Sequence, residues 1–268
     1  MADKKIVLVT GANTGLGFQI VKALHGSGET YEILLGGRSL EKAKAAVEIA
    51  ISEHKTSKST LVPIQIEIEK DESIDAAFEH VKAKYGRLDV LVNNAGAQFD
   101  PEYTSGSMSM REVWNRSWSV NTVGTQVTTS KFVPLLLLSS DARLLFITSG
   151  ASSLTTSENL ELPINRVPPK GWPKSGPPQS NVPAYRSAKT GMNMMMREWC
   201  RNLKEDGVKV WCVSPGYLAT GLGGDQELNK AQGAIDPAIG GRFVKDVIEG
   251  CRDGDVGKVI LKDKVQPW

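Results

Sequence analysis

Seven short apolar runs recur along this chain, spaced by longer stretches in which apolar and charged residues mix. Ile6–Thr10, Ile33–Gly36, Leu61–Ile68, Val90–Asn93, Leu144–Ser149, Val208–Ser214 and Val259–Leu261 read as strands. Most are apolar at nearly every position, as expected when both faces of a parallel sheet are covered. Leu16–His25, Leu40–His54, Ser73–Tyr85, Arg111–Leu138, Ala184–Lys204 and Pro237–Glu249 read as the helices between them. Strand and helix taking turns this regularly implies a parallel sheet with helices on both sides. Right-handed crossovers then make the fold doubly wound α/β, with no internal repeat.

One segment breaks the rhythm. Between Thr155 and Pro183 stand seven prolines, Pro163, Pro168, Pro169, Pro173, Pro177, Pro178 and Pro183, with Gly171 and Gly176. They exclude a long helix. A connection this long inside a compact domain is usually functional or disordered. It lies between a strand end and a helix start, the ligand side of such a sheet.

The remaining composition excludes more than it identifies. At 268 residues the chain buries a full core as one domain and needs no disulfide or metal staple. Its 32 basic and 30 acidic side chains leave a formal charge of +2, against a dedicated nucleic-acid surface. Cys200, Cys212 and Cys251 lack metal-ligand spacing and read as reduced thiols. His25, His54 and His80 sit among charged residues and read as solvated or capping, which leaves zinc and Ser-His hydrolase chemistry poorly supported. No secretory signal is expected at the charged N-terminus, and Val133–Leu138 is too short to span a bilayer. A cytoplasmic protein acting on a small molecule, without nucleic acid or membrane, is the expectation.

The first motif is Thr10-Gly11-Ala12-Asn13-Thr14-Gly15-Leu16-Gly17, between the first strand and the first helix. Gly11 suits the tight turn, Gly15 admits a pyrophosphate close to the backbone, and Gly17 lets helix and strand approach. Free N–H groups at the helix start face the anion. Three glycines in a loop prove little; their place after the first strand gives them meaning. Tyr185 and Lys189, four apart on a predicted helix, share a face. A free phenol has a pKa of about 10, and a nearby ammonium is expected to lower it toward working pH. Ser149 ends the fifth strand and is suited to hydrogen-bond a substrate oxygen, although Ser152 and Ser153 lie close.

The pattern TGxxxGxG, then Asn93-Asn94-Ala95-Gly96, Asn121, Ser149, Tyr185-Arg-Ser-Ala-Lys189, and Pro215-Gly216 with Thr220 arrive in order along nearly the whole chain. This set resembles the short-chain dehydrogenase/reductase family. The resemblance implies a Rossmann-type doubly wound parallel sheet of about seven strands. It implies a catalytic set of Asn121, Ser149, Tyr185 and Lys189. Lys189 would also contact the nicotinamide ribose, and Asn121 would hold a water relaying protons to Lys189. Cofactor contacts are expected from Gly11, Asn13, Thr14, Gly15, Leu16, Gly17, Arg38, Ser39, Glu67, Ile68, Asn94, Ala95, Gly96, Tyr185, Lys189, Pro215, Gly216, Leu218 and Thr220.

The second strand ends in Gly36-Gly37-Arg38-Ser39, without the carboxylate that would repel a 2′-phosphate. Arg38 can pair such a phosphate in a forked contact, so NADP(H) is the expected cofactor. Two departures stand against the family pattern. Thr14 occupies a position where many NADP-dependent members carry Lys or Arg, and Glu67 replaces the usual Asp near the adenine. From Gly150 through Ala184 the segment between serine and tyrosine runs 35 residues, far longer than in most members. In position and approximate size this insertion resembles that of the monomeric carbonyl-reductase branch, where it covers an oligomerisation surface; monomer and oligomer both stay open here. Residues 217–235 fall where the family has its mobile substrate lid. Trp114, Trp118 and Trp172 suit either packing or an aromatic pocket, and Met192, Met194, Met195 and Met196 read as packing. The expected function is reduction of a ketone, aldehyde or quinone by NADPH. Oxidation of an alcohol or sterol, and a non-catalytic NADP sensor, are the alternatives.

Overall fold

The structure is a computed structural model that describes residues 4–172, 174 and 182–268. Its centre is a parallel sheet of seven strands in the order β3-β2-β1-β4-β5-β6-β7. The strands are β1 (Lys5–Val9), β2 (Tyr31–Gly37), β3 (Thr60–Gln65), β4 (Val90–Asn93), β5 (Arg143–Ile147), β6 (Lys209–Val213) and β7 (Val259–Ile260). β1 and β4, adjacent in space but not in sequence, mark the point where the strand order reverses. A ligand crevice is expected there, beyond the carboxyl ends of the strands.

The helices are α1 (Gly15–His25), α2 (Leu40–Glu53), α3 (Asp71–Tyr85), α4 (Asp100–Thr104), α5 (Met110–Trp118), α6 (Thr125–Leu136), α7 (Leu154–Ser157), α8 (Pro183–Asn202), α9 (Gln226–Ala231) and α10 (Pro237–Ile248). Two apolar clusters lie on opposite faces of the sheet. One gathers Leu8, Leu34 and Leu91 with Phe78, Phe132 and Met192; the other gathers Val7, Val9 and Leu35 with Ile20, Leu24 and Phe243. Alternate side chains of each strand feed opposite clusters, which explains why the strands are apolar throughout. Met192 and Met196 belong to the core, while Met194 is exposed.

The amino edge of the sheet is ionic. Arg143, buried at the start of β5, binds Asp253 at 2.6 Å and Asp141 at 3.2 Å, and Lys5 and Lys209 reach Asp141 at 2.8 and 2.9 Å. These charges stand at the end away from the crevice.

Three expectations are refined or corrected. The helix predicted over Arg111–Leu138 is present as the continuous run of α5 and α6, but it passes through a π-helical turn at Ser119–Gly124 that was not expected. The turn ends in a close approach, since a Cβ on Gly124 would stand 2.3 Å from the Ile68 carbonyl oxygen. The wider turn also carries Asn121 fully into the interior. His25 is buried rather than solvated, edge-on to His54 with centroids 6.2 Å apart. Trp172 does not pack among the described residues, being 84% exposed. Pro173, Gly176, Pro177 and Pro178 of the predicted insertion lie outside the described residues. Its earlier part forms α7 and a single 3-10 turn at Pro163–Asn165. The stretch predicted as a lid carries α9 and is pinned at its root, where Leu218 and Ile235 form a bridge.

Candidate active site

The glycine turn is built by crowding. Gly11 has φ of 62°, and a Cβ there would stand 2.8 Å from the Ala95 Cα. A Cβ on Gly17 would stand 2.5 Å from the Gly11 carbonyl oxygen and 2.8 Å from the Ala12 Cα. Only glycine fits either position. Asn94 holds the turn in place: its Nδ2 donates to the carbonyls of Thr10 and Gly11 at 2.8 and 3.0 Å. The Thr10 hydroxyl accepts from the Asn94 and Ala95 N–H groups. Thr14 caps α1 without any side-chain bond, so the first N–H groups of α1, from Gly15 and Leu16 to Gly17, keep their anion-binding capacity. This cradle fits a pyrophosphate.

The neighbouring cofactor candidates divide into two groups. Asn13 lies against Gly37, Leu16 against Gly240, and Thr220 against Gly15, all around the turn. Pro215 also faces Gly240, Gly216 takes φ of 101°, and Leu218 is buried beside them. Arg38 is exposed at the end of β2, with its guanidinium bound to no described residue. The others are already engaged in the fold. The Ser39 hydroxyl caps α2 by accepting from Lys42 N–H at 3.3 Å. Glu67 pairs with Lys70 at 3.0 Å, and Ile68 is buried with its carbonyl against Gly124. Lys42 carries no motif, yet its side chain lines a cavity of about 240 Å³ with Asn13, Thr14 and Phe18.

The catalytic candidates come together at the carboxyl ends of β4 and β5. Gly96 separates Asn121 from Lys189: a Cβ there would lie 2.8 Å from Asn121 Oδ1 and 3.3 Å from Lys189 Nζ. Lys189 Nζ donates to the Ile147 carbonyl at 2.8 Å and stands 5.8 Å from the Tyr185 ring centroid. Burial pushes the Lys189 ammonium down to about 8. Burial also pushes the Tyr185 phenol up to about 12, with the Ser149 hydroxyl pulling the other way. The lowering of the phenol expected from Lys189 is not what the structure gives: desolvation disfavours the phenolate, and Ser149 rather than Lys189 pulls against it. Asn121 gives both its amide N–H groups to the protein, at the carbonyls of Ala97 and Ser117, and its Oδ1 accepts from Ala97 N–H. Any water it holds must use its remaining acceptor capacity.

The structure also separates the three serines. Ser152 is buried in a polar chain: Thr148 Oγ1 donates to Asn193 Oδ1, Asn193 Nδ2 donates to Ser152 Oγ, and Ser152 Oγ donates to the Ser149 carbonyl. Ser153 caps α7 and donates to the Trp268 carbonyl. Ser149 is the one that faces Tyr185. Its hydroxyl accepts from Ala151 N–H at 3.2 Å and retains its own proton to donate.

Four supporting residues escaped the sequence reading. Asn193 anchors the serine loop to α8, and Gln266 Nε2 reaches the Ser149 carbonyl at 3.3 Å from beyond β7. Arg186 ties the insertion to α8, donating to the Ala151 and Ile164 carbonyls and to Asn165 Oδ1. Asp100 accepts from the N–H groups of Ala184 and Tyr185. No motif marks any of them; Asp100-Pro101 signals only that a helix starts. Beside Arg186, Trp118 and Gly191 line a cavity of about 430 Å³ on the flank of α8, which places Trp118 at a pocket.

A family model described as short chain dehydrogenase matches residues 5–159 and 174–231, its gap falling inside the insertion. The chain is 47% identical over 270 residues to the short-chain dehydrogenase/reductase tropE of Talaromyces stipitatus, covering 100% of this chain and 99% of that one. It is 46% identical over 275 residues to the short-chain dehydrogenase/reductase eupG of a Phoma species, covering 99% and 98%. Among solved structures it resembles an NADPH-bound carbonyl reductase from chicken fatty liver, with a TM-score of 0.78, 23% identity and 99% of each chain covered. It also resembles an alcohol dehydrogenase from Thermococcus sibiricus in complex with 5-hydroxy-NADP, with a TM-score of 0.74, 21% identity and 98% and 97% covered.

Proposed function

The chain belongs to the short-chain dehydrogenase/reductase family of oxidoreductases, and on that premise we propose that it reduces a carbonyl group of a small molecule to the alcohol at the expense of NADPH. When bound, the cofactor supplies the hydride. Everything else falls to this chain. The turn from Gly11 to Gly17 and the start of α1 hold the pyrophosphate. Arg38 pairs the 2′-phosphate, and Lys42 adds a second cation beside the same turn. Glu67 and Ile68 border the adenine, and Pro215, Gly216, Leu218 and Thr220 border the nicotinamide end. Residues 217–235 cover the substrate, and the insertion from 155 to 183 shapes the approach to it.

The observation that carries the reading is the meeting of Tyr185, Ser149, Lys189 and Asn121 at the carboxyl ends of β4 and β5, beside the glycine turn. A phenol held at about 12 is neutral at ordinary pH and suited to give a proton rather than take one. An oxygen receiving a hydride at its carbon becomes an alkoxide, a stronger base than phenolate, so transfer from Tyr185 is downhill. Ser149 donates a hydrogen bond to that oxygen and steadies its charge. Lys189 holds the ribose and, with Asn121, replaces the proton that Tyr185 gives up. This order of acidities suits Tyr185 to act as the proton donor of a reduction.

The test is to follow NADPH absorbance against a panel of ketones, aldehydes and quinones. The native chain should turn over at least one class, and Tyr185→Phe should lose about 10²–10⁴ of kcat while still binding NADPH. A native chain that binds NADPH and reduces nothing across the panel overturns the proposal. Phe at 185 with undiminished turnover removes Tyr185 from its role.

A further inference from the structure

The helix that carries Tyr185 is capped from a distant part of the chain. Val182 holds the N-cap position of α8 and makes no side-chain capping bond. Pro183, the first helical residue, has no N–H to offer. The next two N–H groups, of Ala184 and Tyr185, donate to the two carboxylate oxygens of Asp100 at 2.9 and 3.1 Å. Asp100 begins α4, 84 and 85 residues earlier in the chain, and is 5% exposed. A carboxylate at this place makes charge-assisted bonds and faces the positive end of a 20-residue helix.

Asp100 is not an isolated prop. Both the N–H and the carbonyl of Ala97 bind the Asn121 side chain. The Gln98 amide lies against Gly223 in the lid stretch, 2.9 Å from where a Cβ would stand. The Phe99 ring lies under the Arg116 guanidinium at 4.3 Å. Residues 97–100 thus touch Asn121, the lid stretch and the backbone of Tyr185 in succession.

We propose that Asp100 is a positioning residue for proton transfer: by clamping the N–H of Tyr185 itself, it fixes where the phenol stands relative to Ser149 and Lys189. The inference rests on the reading of Tyr185 as proton donor. The rest of α8 is held independently, through buried Ala188, Met192 and Met196. Loss of Asp100 therefore loosens the first turn, where Tyr185 sits, ahead of the helix as a whole.

The experiment compares the native chain with Asp100→Ala, Asp100→Asn and the double variant Asp100→Ala/Val182→Thr. Threonine has the shape of valine and places a capping hydroxyl in cis. Amide hydrogen exchange at Ala184 and Tyr185 is measured without ligand, NADPH affinity by fluorescence, and kcat, KM and the solvent deuterium isotope effect with the best carbonyl of the panel. In Asp100→Ala the two amides should exchange about tenfold faster or more and kcat should fall about tenfold or more, because small misplacements are costly in catalysis. KM and NADPH affinity should stay within about twofold, and the isotope effect on kcat should rise. Asp100→Asn keeps one acceptor oxygen and should fall between. Val182→Thr should restore both protection and kcat.

Unprotected amides with kcat within about twofold of native would make Asp100 a structural cap only and overturn the proposal. So would a parallel loss of NADPH affinity and kcat. Should Asp100→Ala not fold, Asp100→Asn is held to the same criteria. A native chain that reduces no carbonyl defeats the proposed function, whereas unchanged exchange at Ala184 and Tyr185 in the variants defeats the clamp whatever the activity.

Discussion

Two loops at the same edge of the sheet are built on opposite plans. The turn after β1 is made of backbone: glycines pressed against backbone atoms, with Asn94 and Thr10 as fasteners. The loop after β5 is held by side chains drawn from far apart, Asn193 and Arg186 on α8 and Gln266 beyond β7, while Asp100 from α4 caps the Tyr185 helix beside it. On the proposed function, the difference follows from the task. Holding an anion needs aligned N–H groups, which any backbone has once its side chains are out of the way. Moving a proton needs functional groups at fixed separations, and those must be held by other side chains.

The sharpest way to break this contrast is a matched pair of methyl groups. Gly17→Ala places a Cβ inside contact distance of the Gly11 carbonyl and the Ala12 backbone, neither of which can give way. NADPH affinity should fall by about a hundredfold or more, since the missing space is filled by backbone. Gly150→Ala, in the other loop, meets Ser214 Oγ at 3.7 Å and Gln266 Oε1 at 4.0 Å, ordinary contacts. Its kcat and NADPH affinity should stay within about threefold of native, as a surface change without a clash. Titration by fluorescence checks both, and equal damage from the two would erase the distinction.

A smaller effect is expected from Arg38→Asp. Losing one charge-assisted contact and placing a carboxylate near the 2′-phosphate should shift preference from NADPH toward NADH by about ten- to a hundredfold. The ratio of kcat/KM for the two cofactors measures it. An unchanged ratio transfers the role to Lys42 or removes the 2′-phosphate from this corner.

The smallest effect is on stability, and it sharpens the side-chain half of the comparison. Lys189 is held below its ordinary value by burial, at about 8 against about 10.5 when unfolded. Below about 8 the lysine is charged in both states, and folding bears the full cost of burying that charge. Between about 8 and 10.5 the unfolded chain binds more protons, so stability rises with pH. Lys189→Met keeps the length without the charge. It should abolish turnover yet stabilise the fold at pH 7, on the order of 1–3 kcal/mol, with the gain shrinking above pH 8. Denaturant unfolding across that range checks the sign.

Much of the fold was legible because its signals are local. The apolar runs located all seven strands to within a few residues, since strands covered on both faces leave no polar alternation to misread. The helix through Asn121 was legible, but its π-helical turn at Ser119–Gly124 was not, because the crowding at Gly124 comes from Ile68, far away in sequence. Helical periodicity does not register a carbonyl pressing from outside. The depression expected for the Tyr185 phenol failed for a related reason: spacing reveals a neighbouring charge but not the loss of water around both groups.

The doubly wound sheet, the glycine turn, the lack of a carboxylate at the end of β2, and the pairing of Tyr185 with Lys189 on one helix face could all be read from the chain alone. All of these depend on residues close together in the chain or on periodicity. Three-dimensional packing was needed to fix which serine faces Tyr185, what engages Ser39 and Glu67, and what caps the Tyr185 helix. Those outcomes turn on hydrogen-bond partners separated by long stretches of chain, and a buried polar group takes whichever partner the packing delivers.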